Sequence, residues 1–183
     1  FPLSLMLKAS ENNVRRFITV GTCYEYGFKE INSLCKPNDS LNPIGIYAAT
    51  KVSGFYSLKQ LSKDLNIQFC YGRIFNAYGK FDGNNTFWQL LYNAAISGSD
   101  FSMTYGNQIR DVLHINDLCE LIQLQIKSIK KINNKLFTVG GSKKSYTSLK
   151  NLTYLCEKIT GNKIRFKKVN MTSIYDIPYY ISD

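Results

Sequence analysis

Apolar residues follow two patterns along the chain, short continuous runs and longer stretches with helical spacing. The runs at residues 16–20 and 67–74 are rich in β-forming residues and predict two buried strands. Between them, an apolar stripe predicts a helix over residues 46–65, formed by Ala48, Val52, Phe55, Leu58, Leu61 and Leu65. Strand, helix and strand in succession indicate a parallel sheet with helices packed on it.

The same alternation continues to the end of the chain. The spacing predicts the end of a helix over residues 1–9 and further helices over residues 87–96, 116–129 and 149–160. Short strands are predicted over residues 101–104, 112–113, 136–139 and 164–166. Asp117 with Glu120 resembles a capping box, and Gly161 suits a helix C-terminus. The order of elements predicts an α/β domain with a mainly parallel sheet.

Composition fits one globular domain. The chain has 183 residues, of which 44% are hydrophobic and 20% are charged. No apolar run is long enough for a membrane span, and the apolar start lacks the basic residues and cleavage site of a signal peptide. We therefore expect no membrane partner. Because residue 1 is Phe, we expect an excised or incomplete chain.

The net charge of +10 does not by itself predict nucleic-acid binding. The lysines are scattered and no basic run is interleaved with aromatic residues, so we expect no nucleic-acid partner. A basic surface would instead attract an anionic small ligand such as a nucleotide diphosphate. The five cysteines are widely spaced and His114 is the single histidine, which predicts no metal site. Free thiols in a reducing cytoplasm are expected.

Tyr47 and Lys51 are the first candidates for chemistry. They lie four positions apart on the predicted helix and hence on one face of it. A free phenol titrates near pH ~10, and a neighbouring ammonium favours the phenolate. Thr22, expected just past the end of the first strand, could hydrogen-bond the same reacting group. Such a set moves a proton on or off an alcohol or carbonyl oxygen, although an ordinary helix surface can carry the same Tyr-x-x-x-Lys pattern.

Five segments taken together resemble one known family. They are Val-Gly-Thr-x-x-x-Tyr-Gly at 20–27, Tyr-x-x-x-Lys at 47–51, Gly-Arg-Ile-Phe-Asn-Ala-Tyr-Gly at 72–79, Gly-Asn-Gln-Ile-Arg-Asp-Val-Leu-His-Ile-Asn-Asp at 106–117 and Phe-Thr-Val-Gly-Gly at 137–141. Their order and spacing resemble the extended short-chain dehydrogenases/reductases, which include the NAD-dependent nucleotide-sugar epimerases, dehydratases and reductases. The resemblance spans nearly the whole chain.

The resemblance implies a fold and a division of the chain. The fold would be a partial Rossmann-type parallel sheet with flanking helices, plus a small C-terminal substrate-binding lobe. Residues 1–79 would form the C-terminal half of the dinucleotide-binding domain. Residues 80–183 would form mainly the nucleotide-sugar-binding lobe, interleaved with returns to the Rossmann sheet. The resemblance also implies NAD or NADP as cofactor, a nucleotide-diphosphate sugar as ligand and a homodimer in the complete protein.

The same resemblance implies roles for the first candidates. Tyr47 would remove or return the proton of a sugar hydroxyl. Lys51 would bind the nicotinamide ribose and lower the pKa of the tyrosine, so that both residues contact the cofactor. Thr22 would hydrogen-bond the sugar oxygen. Without the family, Tyr47 and Lys51 are helix surface and Thr22 caps a strand end.

Three further residues fall at ligand positions of the family. Phe75 would line the nicotinamide pocket, and Asn76 and Arg110 would bind the diphosphate. The plainer alternative for Asn76 is an ordinary turn residue. For Arg110 it is an ion pair with Asp111 or Asp117.

Three other polar residues near these segments, His114, Glu25 and Cys23, are expected to have no part in catalysis. His114 is expected to be a buried partner for a backbone carbonyl. Glu25 is expected to lie on a loop surface or to pair with a lysine. Cys23 lies near the candidate site, but nothing in the sequence supplies the base that a nucleophilic thiol needs.

The sequence also departs from the family. No G-x-x-G-x-x-G occurs, so the turn that places a pyrophosphate on a helix N-terminus is absent from these residues. The acidic residue that reads the ribose is absent as well, which leaves NAD versus NADP open. We therefore expect the first half of the Rossmann sheet to be missing and this fragment alone to be inactive. Ser173 stands where the family often carries an arginine, three residues before Asp176.

Cys23 and Tyr24 bear on the reaction. In the 4,6-dehydratases of the family an Asp-Glu pair follows the strand-end Thr, and here Cys23 and Tyr24 occupy those positions. A dehydratase is therefore disfavoured. Residues 21–27 resemble 4-keto-sugar reductases, whereas residues 139–183 resemble 2-epimerases, so reductase and epimerase both remain. A catalytically silent nucleotide-sugar-binding relative of the same fold is the alternative.

Overall fold

Helices and strands alternate in the computed structural model, which describes residues 1–80, 86–141, 144–170 and 176–183. In chain order the elements are α1 (Pro2–Glu11), β1 (Arg16–Thr22), a 3₁₀ turn (Cys23–Tyr26), α2 (Gly45–Asp64), β2 (Gln68–Ile74), β3 (Asn76–Tyr78), α3 (Phe87–Ser97), β4 (Asp100–Met103), β5 (Ile109–His114), α4 (Ile115–Ser128), β6 (Lys135–Val139), β7 (Tyr146–Ser148), α5 (Leu149–Thr160), β8 (Arg165–Lys168) and β9 (Tyr179–Tyr180). The predicted α/β fold is confirmed. Ser173 lies outside the described residues, and within the described ranges no helix is long and apolar enough to cross a membrane.

Strands β1, β2 and β6 form a parallel sheet in the order β1-β2-β6. Its register sets Gly21 opposite Arg73 and Thr22 opposite Ile74, so the carboxyl ends of β1 and β2 lie side by side. Helices α1 and α2 pack on this sheet over a core that comprises Met6, Phe55, Leu58, Ile67, Phe69 and Tyr71. Ligands of open parallel sheets bind beyond the carboxyl ends of the strands. The sheet therefore presents the residues that follow β1 and β2 as the candidate site.

The C-terminal part of the chain adds smaller sheets. Strand β5 pairs in parallel with β3 and β9 and antiparallel with β7, while β4 pairs in parallel with β8. Their neighbouring core comprises Leu91, Ala94, Ala95, Phe101 and Ile164. Strands β3, β7 and β9 have three residues or fewer. Because a run that short shows no period-two pattern, the sequence did not predict them.

The structure corrects two expectations at the start of α4. The N-cap is His114, whose Nδ1 accepts a hydrogen bond from the Asn116 amide at 3.2 Å. The capping box predicted at Asp117 is wrong because β5 runs directly into the helix and leaves Asp117 inside the first turn, where its charge still favours the helix dipole. His114 is also not a buried partner of a carbonyl; it is half-buried and accepts from an amide. By contrast, Gly161 ends α5 in the left-handed conformation, as predicted.

Candidate active site

Thr22 ends β1 and caps the 3₁₀ turn that follows. Its Oγ1 accepts a hydrogen bond from the Tyr24 amide at 3.4 Å, and Glu25 Oε1 accepts one from the Thr22 amide at 2.9 Å. The two bonds form a capping box. The same side chain is hydrogen-bonded to the neighbouring Cys23 thiol, and a hydroxyl whose oxygen accepts one bond can still donate its proton. Thr22 thus offers a donor at the carboxyl end of β1.

Tyr47 and Lys51 lie one turn apart near the start of α2. The Lys51 ammonium lies 5.7 Å from the centroid of the Tyr47 ring, within the range of a cation–π contact. Burial raises the pKa of Tyr24, and the nearby Tyr47 is one of the groups that add to this increase. Because α2 connects the parallel strands β1 and β2, its first turns lie at the carboxyl end of the sheet, where Thr22 caps the 3₁₀ turn. The three predicted residues come to the same end of the sheet, and Tyr47 remains 58% exposed.

A cleft of about 610 Å³ opens beside this turn. The predicted ligand residues Phe75, Asn76 and Arg110 all line it, together with Tyr24 and Trp88. A cleft of this volume is in the range that holds a small-molecule ligand. Thr22, Tyr47 and Lys51 are not among the residues that line this cleft, whereas Tyr24, two positions after Thr22, is.

Arg110 makes an ion pair inside the cleft with Asp176, at 2.6 Å. The alternative partners suggested by the sequence were Asp111 and Asp117. Asp111 is fully buried and instead accepts hydrogen bonds from the amides of Gly141 at 2.5 Å and Ser182 at 2.9 Å. Arg110 therefore lies on the cleft wall with Asp176 as its partner.

Gln108 is a cleft residue that the sequence did not single out. Its amide nitrogen donates to Asp176 Oδ2 at 2.6 Å and to Thr104 Oγ1 at 3.0 Å. Its Oε1 is buried and has no hydrogen-bond partner among the residues that the structure describes. Gln108 and Arg110 are two positions apart on the extended chain and therefore point the same way. That spacing is the signal that could have revealed Gln108.

Phe75 and Asn76 lie at the end of β2, as the motif predicts, but each has a structural partner. The Asn76 amide donates to the Asp111 carbonyl at 3.1 Å, which holds β3 against β5. Phe75 is 5% exposed and packs edge-on against Tyr180, with ring centroids 6.0 Å apart. Both side chains still contribute to the cleft wall.

Glu25 corrects the sequence analysis. We expected it on a loop surface or paired with a lysine, but it is fully buried and forms an ion pair with Arg73, with Nε and Oε2 2.7 Å apart. The signal for this pair was present in the sequence. Arg73 interrupts the apolar run of β2, and a charge inside a buried strand requires a partner of opposite sign.

Comparison with known proteins assigns the family. The family model described as "NAD dependent epimerase/dehydratase family" matches residues 2–140. The chain belongs to this family. The resemblance that the five motifs indicated is therefore confirmed.

Among curated proteins, the chain is similar to the UDP-glucose 4-epimerase of Corynebacterium glutamicum, with 24% identity over 88% of this chain and 53% of the epimerase. Among solved structures, it is similar to UDP-glucose 4-epimerase of Thermotoga maritima with UDP-glucose (TM-score 0.84, 21% identity, 99% of this chain and 58% of that one). It is similar also to dTDP-glucose 4,6-dehydratase of Streptomyces venezuelae with NAD bound (TM-score 0.84, 19% identity, covering 98% of this chain and 55% of that one). The structural likenesses show the fold, and the chain spans a little over half the length of these relatives.

Burial keeps the Cys23 and Tyr24 side chains neutral. Burial raises the pKa of the Cys23 thiol to about 12, with a further contribution from Cys35. Burial likewise raises the pKa of the Tyr24 phenol, with a further contribution from Cys23. At neutral pH neither group is a base, and each is a weaker acid than a free thiol or phenol.

Thiol labelling checks the burial and the raised pKa of Cys23. The thiolate is the reactive form, so a thiol with a pKa of about 12 stays unreactive until strongly alkaline pH. We expect iodoacetamide to label the exposed Cys119 at pH 7–9 while Cys23 stays unlabelled in the folded protein. Peptide mass spectrometry with timed quenching measures both rates. Labelling of Cys23 as fast as Cys119 at pH 8 would contradict this.

Proposed function

We propose that the chain supplies the acid–base and nucleotide-sugar-binding residues of an NAD(P)-dependent enzyme that transfers hydride at one sugar carbon, as an epimerase or a 4-keto-sugar reductase. The observation that carries the proposal is the grouping of Thr22, Tyr47 and Lys51 at one end of the sheet, beside a ligand-sized cleft. The neutral Cys23 and Tyr24 argue against water elimination. The similarity to the UDP-glucose 4-epimerase of Corynebacterium glutamicum gives further support.

In this proposal the chain's own residues handle the proton. The Tyr47 oxygen takes the proton of a sugar hydroxyl as that carbon is oxidised, and returns it on reduction. The Lys51 ammonium stabilises the phenolate form of Tyr47, which accepts this proton and forms again when the proton is returned. The Thr22 hydroxyl, whose oxygen already accepts from the Tyr24 amide, donates to the same sugar oxygen.

The residues at this end of the sheet fit part of a nicotinamide cofactor. The ammonium of Lys51 and the hydroxyl of Tyr47 are donors suited to ribose hydroxyls, and the ring of Phe75 offers an apolar surface on the cleft wall. The cofactor, when bound, supplies the hydride acceptor and donor. A glycine-rich pyrophosphate cradle does not occur in the 183 residues.

The cleft suits the nucleotide-diphosphate part of the substrate. Arg110 can bind a phosphate by two parallel hydrogen bonds, and its ion pair with Asp176 already fixes it on the wall. We propose that residues 80–183 form mainly this nucleotide-sugar lobe, and residues 1–79 part of the dinucleotide-binding domain. The pairing of β6 with β2 supports the expected return to the first sheet. A homodimer and a cytoplasmic location stay predictions.

The 183-residue chain by itself should bind NAD very weakly. Its residues can hold the nicotinamide ribose but offer no glycine-rich turn for the pyrophosphate, where helix dipole and amides give most phosphate binding. In addition, β1 pairs on one side only among the described residues, and an open sheet edge favours aggregation. Isothermal titration calorimetry with NAD measures the affinity. Micromolar binding to these residues alone would refute this prediction.

The test of the proposed function uses the protein as its gene encodes it. Denaturing the purified protein releases any nicotinamide cofactor, which is identified by its absorbance and mass. The protein is then incubated with a panel of UDP-, CDP- and dTDP-sugars with NAD or NADPH. We expect a bound cofactor and conversion of at least one sugar. A silent relative of the fold would show nucleotide-sugar binding without conversion of any sugar in the panel.

A further inference from the structure

A buried ion pair lies directly behind the end of β1. Arg73 Nε donates to Glu25 Oε2 at 2.7 Å, and the two side chains are 2% and 0% exposed. Burying two charges costs desolvation energy that their attraction often fails to recover, so apolar residues at both positions would serve stability as well. Stability alone therefore does not account for this pair.

The second oxygen of Glu25 holds the end of β1. Glu25 Oε1 accepts from the Thr22 amide at 2.9 Å and from the Tyr71 hydroxyl at 2.8 Å. A Cβ added to Gly21 would lie 1.9 Å from this oxygen, so the strand carries glycine at the point where the carboxylate crosses it. The Glu25 carboxylate thus accepts from three donors, the Thr22 amide on β1 and the Tyr71 hydroxyl and Arg73 Nε on β2. Because the two donors on β2 hold the carboxylate in place, the carboxylate can hold the Thr22 amide.

Arg73 extends the same link to helix α2. Its guanidinium carbon lies 5.1 Å from the centre of the Phe55 ring, a cation–π contact. Phe55 is four residues, about one helical turn, beyond Lys51 on α2. One cation therefore contacts the helix that carries Lys51 and, through Glu25, the strand end that carries Thr22.

We infer that Glu25 is a positioning residue, which together with Arg73 fixes the Thr22 hydroxyl relative to the part of α2 that carries Phe55, one turn beyond Lys51. The inference rests on the proposed function, in which Thr22 and Tyr47 act on one sugar oxygen. Misplacing a catalytic group by about 1 Å can lower turnover about 100-fold. Glu25 acts on the reaction through Thr22 and not by contact with a ligand.

Amide hydrogen exchange tests the positioning without any activity. Glutamine at position 25 offers one acceptor oxygen where the carboxylate offers two, and its NH₂ group would face another donor. In the protein as its gene encodes it, without ligands, Glu25→Gln should speed exchange of the Thr22 amide by about 10-fold or more while β6 keeps its protection. Glu30 is exposed and lies in the same segment, so the control Glu30→Gln should change neither the exchange rate of the Thr22 amide nor the protection of β6. Unchanged protection of Thr22 in Glu25→Gln would overturn the inference.

A double-mutant cycle separates positioning from general support of the fold. With the substrate that the panel identifies, Glu25→Gln should lower kcat about 10- to 100-fold with little change in KM. In a Thr22→Val background the same change should have almost no further effect, because the group that Glu25 positions is gone. An equal loss in both backgrounds, or no loss in the first, would overturn the inference.

Two provisions keep the test decisive. If Glu25→Gln alone does not fold, the neutral pair Glu25→Gln with Arg73→Met takes its place, since removing both charges avoids an unpaired buried cation. If the protein converts no sugar in the panel, the proposed function fails while the exchange rate of the Thr22 amide still decides the positioning. Faster exchange of the Thr22 amide in Glu25→Gln then supports the positioning role of Glu25, and an unchanged rate overturns it.

Discussion

Replacing Tyr47 by phenylalanine should lower turnover by roughly 10²–10⁴-fold, the scale on which a general acid–base residue contributes. The change removes only the phenol oxygen, which is the group proposed to exchange a proton with the sugar. The change removes one of the two proposed ribose donors, but Lys51 keeps its aromatic neighbour and remains as the charged donor, so the affinity for the nicotinamide cofactor should be largely retained. Steady-state kinetics and fluorescence titration of the cofactor measure the two quantities on the same preparation.

Tyr56 provides the matched control for this substitution. It lies on the same helix α2 and is 57% exposed, nearly the same as Tyr47. Tyr56→Phe should leave both turnover and cofactor affinity unchanged. Near-normal turnover of Tyr47→Phe on the native substrate would show that the acid–base role belongs elsewhere.

Replacing Arg73 alone should destabilise the protein by about 3–5 kcal/mol, since Arg73→Met leaves the Glu25 carboxylate buried without its cation. The Tyr71 hydroxyl and the Thr22 amide remain as donors, but neither carries a charge. Adding Glu25→Gln to Arg73→Met should restore most of the lost stability. Urea unfolding of both variants measures the free energies.

Arg165 is the control for loss of an arginine as such. It pairs with Asp100 at 3.5 Å, and its side chain is 79% exposed, so the pair is worth little in water. Arg165→Met should therefore unfold close to the parent. If Arg73→Met were as stable as Arg165→Met, the buried pair would have no structural importance.

The sequence predicted the long elements because each carries its own periodic signal. Helix α2 and strands β1 and β2 have enough residues to show an apolar stripe or a continuous apolar run. The start of α4 was predicted to within one residue, but its cap was misassigned. Asp117 followed by Glu120 three residues later looks like a capping box, while the residue that caps the helix is His114. Strands β3 and β9 exist only through pairing with β5, a contact that no local pattern records.

The candidate site was predictable where one motif carries it and unpredictable where distant segments meet. Tyr47 and Lys51 are one helical turn apart, so their proximity follows from spacing alone. The partner of Arg110 is 66 residues away, at Asp176, and depends on how the C-terminal segment returns to the cleft. Glu25 was misread for the same reason, because its partner lies on a neighbouring strand 48 residues away.

The most direct test of the central claim is the product formed from dTDP-glucose or CDP-glucose with NAD, analysed by NMR and mass spectrometry for the protein as its gene encodes it. In the proposed mechanism, redox chemistry at one hydroxyl requires only Thr22, Tyr47, Lys51 and a cofactor. Water elimination would also need an acid and a base, which the buried Cys23 and the half-buried Tyr24 do not provide. We predict no loss of water, and instead either redox-neutral interconversion of two epimers or consumption of NADPH with a 4-keto-6-deoxy sugar as substrate. Formation of the 4-keto-6-deoxy product at a catalytic rate would contradict the account.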